Sequence, residues 1–262
     1  VAGEIEAEFA RAGHIVVSNS RNYRMVDTVP LLIPEVNADH LKLLALQAEA
    51  QGWKGRIVTN PNCSTVAITM ALAPLRQFGI DTTMVTTLQA ISGAGYPGVP
   101  SWDILGNIIP YISGEEEKIE TETKKILGSL GKGRIDDHPV RVSATTTRVL
   151  VRDGHSCSIS VGLAQKPTPE AVIDAWRSFR GRPQELGLPT APKEPVVYLE
   201  EANRPQPVLD AGREGGMTVS VGRLRRCPLF DYKFMALGHN TIRGAAGVAI
   251  LNAELLHAEG LL

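Results

Sequence analysis

The most reactive side chain in the sequence is Cys63, in the segment NPNCST. Asn60-Pro61 favours a turn after the strand-like RIVT, and a helix-forming run follows from residue 64. A thiol at the start of a helix faces unpaired N–H groups and the positive end of the helix dipole, which lower its pKa and favour the thiolate. A thiolate attacks acyl carbon, and the same N–H groups can hold the resulting oxyanion. The alternative is that Cys63 is a small buried apolar residue.

A nucleophilic cysteine needs a group that moves protons, and His155 is the best placed of the six histidines. It follows Asp153-Gly154, a dipeptide typical of two-residue hairpin turns. Such a turn puts residue 152 opposite 155 and predicts that Arg148, Arg152 and His155 share one face. Arg148 would lie about 13 Å along the strand from the position opposite His155, a span that suits a small substrate with a carboxylate. The alternative is that His155 is an exposed residue after a turn.

The first 61 residues alternate helix and strand. The pattern predicts a helix ending at Gly13, a strand over 14–18, a helix over 39–51 and a strand over 56–59. Short apolar strands that alternate with helices are typical of a parallel sheet covered by helices. The sequence opens inside a helix, so we expect the first strand of this βαβ unit to lie upstream of the residues given.

The remainder of the chain predicts a mixed α+β region. Helices are predicted over 64–79, 114–130 and 241–258 and from Thr168-Pro169, and strands over 83–90, 140–163 and 217–224. In HSCSISV, polar and apolar residues alternate strictly, which puts Cys157, Ile159 and Val161 on one face of a strand. The Pro- and Gly-rich segment 181–215 predicts a long excursion or a subunit contact. The fold class is therefore α/β.

Composition narrows the class of protein. With 43% hydrophobic residues, a chain of 262 residues can bury one large core or two smaller ones. A formal net charge of −1 predicts no broad attraction to nucleic acid or to an anionic membrane. No apolar run reaches the ~18 residues of a membrane helix. Three cysteines without repeated spacing favour a reducing cytoplasm over a disulfide framework, and we assign no metal site.

Several motifs occur in the order found in the aspartate-semialdehyde dehydrogenases. They are NPNCST, LQAISGAGYPG, EEEKIETETKKIL, an arginine shortly before a Gly-His pair, and NTIRGAAG. The loop SNSRNYRM followed by PLLIPEVN resembles the archaeal and fungal branch in particular. The resemblance runs from Ser18 to about Glu254 and is weakest over 181–215.

This resemblance implies a reductase that acts on an acyl phosphate, in the biosynthesis of aspartate-family amino acids. Cys63 would attack 4-phospho-L-aspartate, phosphate would leave, and NADPH would reduce the thioester to L-aspartate 4-semialdehyde. His155 matches the family's general acid/base, a role for which an imidazole with a pKa of about 6.5 is suited. Gln89 lies where the family orients the acyl group.

The resemblance also implies how the substrate is held. Arg148 matches the residue that binds the α-carboxylate, and Glu115 the one that receives the α-ammonium. Arg24 and Lys118 resemble a phosphate clamp, which Asn62 would assist. From spacing alone, Glu115 and Lys118 would be a solvated pair on a helix surface, since residues three apart on a helix are neighbours.

Part of the cofactor site is absent from the sequence. The family places a Gly-rich phosphate loop near its N-terminus, and no such turn occurs in residues 1–40, which we interpret as N-terminal truncation. Ser92, Gly93 and Asn240 match positions near the nicotinamide of NADP(H). The alternative for residues 92–98 is an ordinary loop after a strand.

Two domains are expected from this resemblance. Residues 1–61, closed by 238–262, would be the remainder of a Rossmann-type nucleotide-binding domain, and 62–237 a catalytic and dimerisation domain. Cys63 would then lie at the seam between them, where clefts commonly form. The expected partners are a small-molecule substrate, phosphate and further copies of the chain, in a homodimer or homotetramer.

Three alternatives remain open at the level of the sequence. A malonyl-CoA reductase, or another acyl-CoA reductase, could use the same cysteine and histidine, but a CoA thioester needs neither a phosphate clamp nor an ammonium acceptor. N-acetyl-glutamyl-phosphate reductases share the acyl-phosphate chemistry and have a different cysteine motif. A non-catalytic subunit would keep the fold for dimerisation alone, and its Cys63 would have an ordinary thiol pKa of about 8.5.

Overall fold

A computed structural model describes residues 2–262 of the chain. The strands are β1 (Ile15–Ser18), β2 (Arg56–Thr59), β3 (Ile80–Gln89), β4 (Ser129–Leu130), β5 (Ile135–Asp136), β6 (Arg141–Arg148), β7 (His155–Leu163), β8 (Val196–Leu199), β9 (Val219–Arg226) and β10 (Tyr232–Gly238). The helices are α1 (Ala2–Ala12), α2 (Pro34–Asn37), α3 (Leu44–Gln51), α4 (Cys63–Leu72), α5 (Ser101–Ile104), α6 (Glu115–Leu127), α7 (Pro169–Ser178), α8 (Arg182–Leu186), α9 (Pro207–Asp210) and α10 (Gly247–Ala258).

The N-terminal part is a small parallel sheet with helices. β1 pairs in parallel with β2, with Ile15 opposite Arg56, and α1 and α3 precede these strands in the chain. The predicted parallel arrangement and both strands are confirmed. The helix predicted over 39–51 is split, because residues Ala38–Leu43 form a 3₁₀ helix and α3 follows it.

A mixed sheet in the order β6-β3-β7-β10-β9-β8 forms the centre of the molecule. β3 runs parallel to β6 and antiparallel to β7, so β3 separates the two strands that the Asp153-Gly154 turn was expected to pair. The predicted hairpin register is therefore wrong. After β6 the chain passes the end of β3, where the N–H of Ile91 donates to the carbonyl of Val151, and returns on the far side of β3 as β7.

The two strands β8 and β10 were not predicted. β8 lies inside the expected excursion and pairs in parallel with β9 at the sheet edge. β10 lies between β7 and β9 and pairs antiparallel with both. The alternation predicted for the strand after His155 is confirmed, since Cys157, Ile159 and Val161 are all buried.

One face of the sheet is covered by α4, whose residues from Ser64 to Leu72 are all buried. The helix predicted over 64–79 becomes a 3₁₀ helix at Ala73–Phe78, because Pro74 has no N–H to continue the α-helical pattern. The core beneath the sheet contains Val66, Ile68, Leu72, Val85, Ile119, Ile159, Trp176, Val219 and Phe234, among others. The predicted α/β fold is confirmed.

The C-terminal helix packs on the N-terminal sheet. Leu251, Leu255 and Leu256 of α10 share an apolar cluster with Val58 of β2 and with Leu32. A π-helical turn, Ile242–Ala246, joins α10 to the preceding strand. Among the helices of residues 2–262, none is long and apolar enough to cross a membrane.

Candidate active site

Cys63 is the first residue of α4, as the sequence predicted, and it is partly exposed. Asn62 caps the helix, because its side-chain oxygen accepts from the N–H groups of Ser64 at 3.0 Å and Thr65 at 3.3 Å. Two N–H groups that were expected to face the thiol therefore already have a partner.

The environment raises the pKa of the Cys63 thiol to about 11. Desolvation by the surrounding protein is the main cause, and the negative charge of Glu115 adds to it. The N–H of Ser64 and the charges of Arg148 and Arg24 act in the opposite direction. The expectation of a lowered thiol pKa was thus wrong, because burial and a nearby carboxylate outweigh the helix terminus.

His155 is fully buried at the start of β7. Its Nδ1 accepts a hydrogen bond from the backbone N–H of Ala90 at 3.1 Å, which puts the proton of the neutral ring on Nε2. Burial, together with the positive charges of Arg148 and His239, lowers the pKa of His155 to about 3. The ordinary imidazole pKa expected from the sequence was wrong because, as for Cys63, it did not include desolvation.

Arg148, Gln89 and His155 meet at one end of three adjacent strands. Gln89 pairs with Arg148, and the residue before Gln89, Leu88, pairs with Ser156. The carbonyl of Ala90 accepts from Arg148 Nη1 at 2.7 Å, so one residue holds both the guanidinium and the imidazole. Arg148 and His155 therefore lie on opposite sides of β3 and are not paired in a hairpin.

Arg152, which was expected to share a face with Arg148 and His155, does not lie with them. Arg152 has a side chain that is 91% exposed and pairs with Asp153 at 3.0 Å. The prediction for Arg152 was wrong because it depended on direct pairing of β6 with β7.

Glu115 connects the predicted site residues. Its Oε2 accepts from Asn62 Nδ2 at 2.7 Å and, weakly, from Gln89 Nε2 at 3.5 Å, and its Oε1 accepts from Lys118 Nζ at 2.7 Å. Glu115 is buried, so the solvated pair considered from spacing alone is not what the fold contains. The first turn of α6 therefore lies against the start of α4 and the end of β3.

Arg24 is also buried, and it forms an ion pair that the sequence did not predict. Its Nη1 donates to Glu122 Oε1 at 2.9 Å, and Glu122 Oε2 accepts the N–H of Asn62 at 2.6 Å. Burial raises the pKa of Glu122, against the effect of Arg24. The available signal was that Glu122 lies seven residues, about two turns, after Glu115 and hence on the same side of α6.

Lys125 is a second buried residue that sequence reasoning missed. Its ammonium donates to the carbonyls of Arg24, Val26 and Val29 at 2.8, 2.8 and 3.0 Å. Burial lowers its pKa to about 8. Lys125 thereby ties the loop that carries Arg24 to α6.

The Gly-rich turn Ile91–Ala94 lies against the catalytic candidates. A Cβ on Gly93 would come within 2.8 Å of His155 Cε1 and 2.9 Å of Arg148 Nη1, so this close approach requires glycine. Asn240 Nδ2 donates to Ser92 Oγ at 2.8 Å, and its Oδ1 accepts the N–H of Gly154 at the same distance. Asn240 therefore links the turn to the residue before His155.

The π-helical turn near the C-terminus lies against Cys63. A Cβ on Gly244 would lie 2.7 Å from Cys63 Cβ and 2.9 Å from its Cα. The preceding Arg243 forms a fully buried, bidentate ion pair with Glu35, at 2.8 and 2.6 Å. This ion pair fixes the turn to α2 and holds Gly244 against Cys63.

At this site a thiol at a helix start and a neutral imidazole lie near two cations that are paired with carboxylates. Two family models match the chain: "Semialdehyde dehydrogenase, NAD binding domain" over residues 1–44 and "Semialdehyde dehydrogenase, dimerisation domain" over residues 72–243. Cys63 falls between the two matched segments. The second match gives the chain a dimerisation domain, in line with the expected homo-oligomer.

Individual relatives agree with these models. The chain is 45% identical over 262 residues to the aspartate-semialdehyde dehydrogenase of Archaeoglobus fulgidus, covering all of the chain and 75% of that protein. It is 49% identical over 260 residues to that of Methanothermobacter thermautotrophicus, covering 98% of the chain and 75% of that protein. The crystal structure of the Candida albicans enzyme with NADP superposes with a TM-score of 0.91 at 44% identity, covering all of the chain and 76% of its own.

The chain belongs to the aspartate-semialdehyde dehydrogenase family. The predicted resemblance to the archaeal and fungal branch, the oxidoreductase class and the use of an NADP-type cofactor within the family are confirmed. The chain spans about three quarters of the length of these relatives.

Proposed function

We propose that this protein reduces 4-phospho-L-aspartate to L-aspartate 4-semialdehyde through a thioester on Cys63, in the biosynthesis of aspartate-family amino acids. The observation that carries the proposal is the buried network around Glu115, which joins Asn62, next to the nucleophile, to Gln89 and Lys118. In this network Gln89 would contact the acyl group, Glu115 would bind the ammonium, and Lys118 and Asn62 would bind the phosphate, all near the thiol of Cys63. A CoA thioester would use only the first of these contacts.

The chemistry begins with proton transfer, because both reacting groups are neutral. A thiol with a pKa of about 11 and an imidazole with a pKa of about 3 do not form an ion pair by themselves. The substrate carboxylate on Arg148 would offset the positive charge that lowers the pKa of His155. The neutral ring of His155 already carries its proton on Nε2 and accepts from Ala90 at Nδ1, so it would donate to the acyl oxygen, and the Cys63 proton would leave on the departing phosphate.

The thiolate then attacks the acyl carbon, the C–O bond to phosphate breaks, and phosphate leaves as the thioester forms. Lys118 and Arg24 stabilise the charge on the departing phosphate, and Asn62 assists them. NADPH, when bound, supplies the hydride that converts the thioester to the aldehyde. His155 holds a proton at Nε2, where it can hydrogen-bond the acyl oxygen, and Cys63 is released as a thiolate when the aldehyde forms.

Residues of this chain would contact the nicotinamide from the Gly-rich turn. Ser92 is held by Asn240, and Gly93 lies directly against His155 and Arg148. Asn240 then acts mainly by positioning Ser92, since both ends of its amide contact the protein.

We propose the same domain division that the motifs predict. Residues 1–61 and 238–262 would form the nucleotide-binding part, supported by the apolar cluster that α10 shares with β2. Residues 62–237 would form the catalytic and dimerisation part. The Arg243–Glu35 ion pair would join the C-terminal turn to the N-terminal segment near the seam.

The assembly we propose is a homodimer or a pair of homodimers. The sheet face opposite α4 exposes apolar side chains of β3, Met84 and Leu88, between the exposed Ser158 and Thr145. A second copy of the chain could cover this face, because a flat sheet surface with apolar residues is typical of a subunit contact. Sedimentation equilibrium at micromolar concentration would measure the state, and a monomer throughout would contradict the proposal.

The substrate is tested by oxidising two aldehydes with NADP⁺. We expect L-aspartate 4-semialdehyde to be oxidised only when phosphate is present. Malonate semialdehyde with CoA is the matched comparison, because it uses the same cysteine and imidazole without the phosphate contacts. CoA-dependent oxidation without any requirement for phosphate would refute the proposed substrate and favour an acyl-CoA reductase.

A further inference from the structure

Both cations of the proposed phosphate subsite are already paired with carboxylates of α6. Lys118 lies 2.7 Å from Glu115, and Arg24 lies 2.9 Å from Glu122. The proposed reaction gives Glu115 a second cationic partner beside Lys118, the substrate ammonium. It gives Glu122 none, so Glu122 is a buried carboxyl group at the site without an assigned role, and its donors Arg24 and the N–H of Asn62 favour the carboxylate form against the effect of burial.

Glu122 is held in place independently of Arg24. Its Oε2 accepts the backbone N–H of Asn62 at 2.6 Å, and Asn62 is fixed as the cap of α4. Because this N–H belongs to the residue before Cys63, it cannot move away without moving the nucleophile. The carboxylate therefore keeps one donor even when Arg24 turns towards another anion.

Arg24 has donors left for such an anion. Its Nη2 donates to the carbonyl of Asn19 at 2.9 Å, and its buried Nε has no partner among residues 2–262. A guanidinium carries five N–H donors, so the two bonds to Glu122 and Asn19 leave it unsaturated. Meanwhile Lys125 holds the backbone of the loop through three carbonyls, including that of Arg24.

Resting on the proposed function, we propose that Glu122 is a competing anion in the phosphate subsite, which shares Arg24 with phosphate and so weakens phosphate binding. A fixed carboxylate beside a phosphate dianion in a buried site repels it strongly, since little water screens the two charges. Phosphate is a product of the reductive reaction, and a subsite that bound it too tightly would be slow to empty. A carboxylate that only supported Arg24 would have the opposite effect, because its removal would weaken phosphate binding.

The two roles are separated by Glu122→Gln, which keeps the shape and removes the charge. We expect inorganic phosphate to bind this variant about tenfold more tightly than the wild type in titration calorimetry. The constant for product inhibition by phosphate in the reductive direction should fall by a similar factor. The KM for L-aspartate 4-semialdehyde should change less, since Glu122 contacts neither Arg148 nor Glu115.

Glu117→Gln is the matched control, because Glu117 lies on the same helix with an exposed side chain. It removes one negative charge from α6 and should leave phosphate affinity within about twofold of wild type, since exposed charges are screened by water. Phosphate that binds Glu122→Gln as weakly as the wild type, or more weakly, would overturn the inference.

If Glu122→Gln does not fold, a crystal structure of the wild-type protein with inorganic phosphate tests whether phosphate and Glu122 share Arg24. We expect phosphate in contact with Arg24, and an Arg24–Glu122 contact that is lengthened or shared. Phosphate bound away from Arg24 would overturn the inference. Failure of the proposed function looks different, because it would appear as aldehyde oxidation by the wild type that does not need phosphate.

Discussion

Two helices begin at the candidate active site, and they are built in opposite ways. From Ser64 to Leu72, α4 is buried on every side and is mostly apolar, and it delivers a single reactive group at its first residue. In contrast, α6 buries a row of charged side chains, Glu115, Glu122 and Lys125. The first helix fixes where the sulfur lies, and the second determines the charges around it. Position and electrostatics are thus assigned to different elements.

The largest effect is expected from the one reactive group that α4 supplies. Cys63→Ser should lower turnover by a factor of about 10³ or more, because an alkoxide is far harder to form than a thiolate. The unfolding free energy should stay close to wild type, since the two side chains differ little in size. Steady-state kinetics and thermal unfolding measure the two quantities. Near-normal turnover by the serine variant would refute the role of Cys63.

A change inside α4 should affect stability and spare the chemistry. Ile68→Ala removes a fully buried side chain and should lower the unfolding free energy by about 2–5 kcal/mol, the usual cost of a core cavity. The KM values of the folded protein should not change. Ile68→Val is the graded control, with an expected loss of about 0.5–1.5 kcal/mol. Altered substrate affinity without a loss of stability would contradict the view that α4 fixes the position of the sulfur while α6 determines the charges around it.

A change on α6 should alter substrate binding and leave stability nearly unchanged. Lys118→Ala removes one cation of the proposed phosphate clamp and should raise the KM for phosphate about tenfold, with little effect on the KM for NADP⁺. The unfolding free energy should change by less than about 1 kcal/mol, because the lysine is partly exposed. Lys124→Ala, on the same helix, is the control. Unchanged phosphate kinetics would count against the clamp.

The smallest predicted effect is a shift in the thiol pKa. Glu115→Gln removes a negative charge that raises the pKa of Cys63, so this pKa should fall below its value of about 11. Alkylation of Cys63 would then become fast at lower pH than in the wild type. Rates of iodoacetamide labelling, followed on the peptide that contains Cys63, measure the shift, and Glu117→Gln should leave the profile unchanged. A pKa that rises in Glu115→Gln would show that the carboxylate does not act through its charge.

Local sequence signals were reliable where the structure depends on neighbours along the chain. The helix start at Cys63, the strands β1 and β2 and the alternation in β7 follow from turn residues and from side-chain period. The pairing of strands does not follow from such signals. Asp153-Gly154 correctly indicates a turn, with Gly154 at a φ of 95°, yet nothing in its surroundings says that β3 lies between the flanking strands.

The site electrostatics were less predictable, because they depend on burial. The pKa expected for Cys63 considered the N–H groups at the helix start and omitted desolvation and the charge of Glu115, which outweigh them. Glu122 lies in a run of charged residues that reads as a solvated helix, and its partner Arg24 is 98 residues away in sequence. Contacts over such a separation leave no trace in local spacing.

The contact between Gly244 and Cys63 has a consequence for how the enzyme comes into being. Gly244 is translated long after Cys63, and Arg243 must reach Glu35, near the other end of the sequence, before the turn is secured. A ribosome-bound chain can therefore form α4 and much of the central sheet while its sulfur still lacks one wall. Because desolvation is the main cause of the raised thiol pKa, the sulfur should be more accessible and more easily ionised before this turn docks, and should reach its final pKa only when the C-terminal segment is in place.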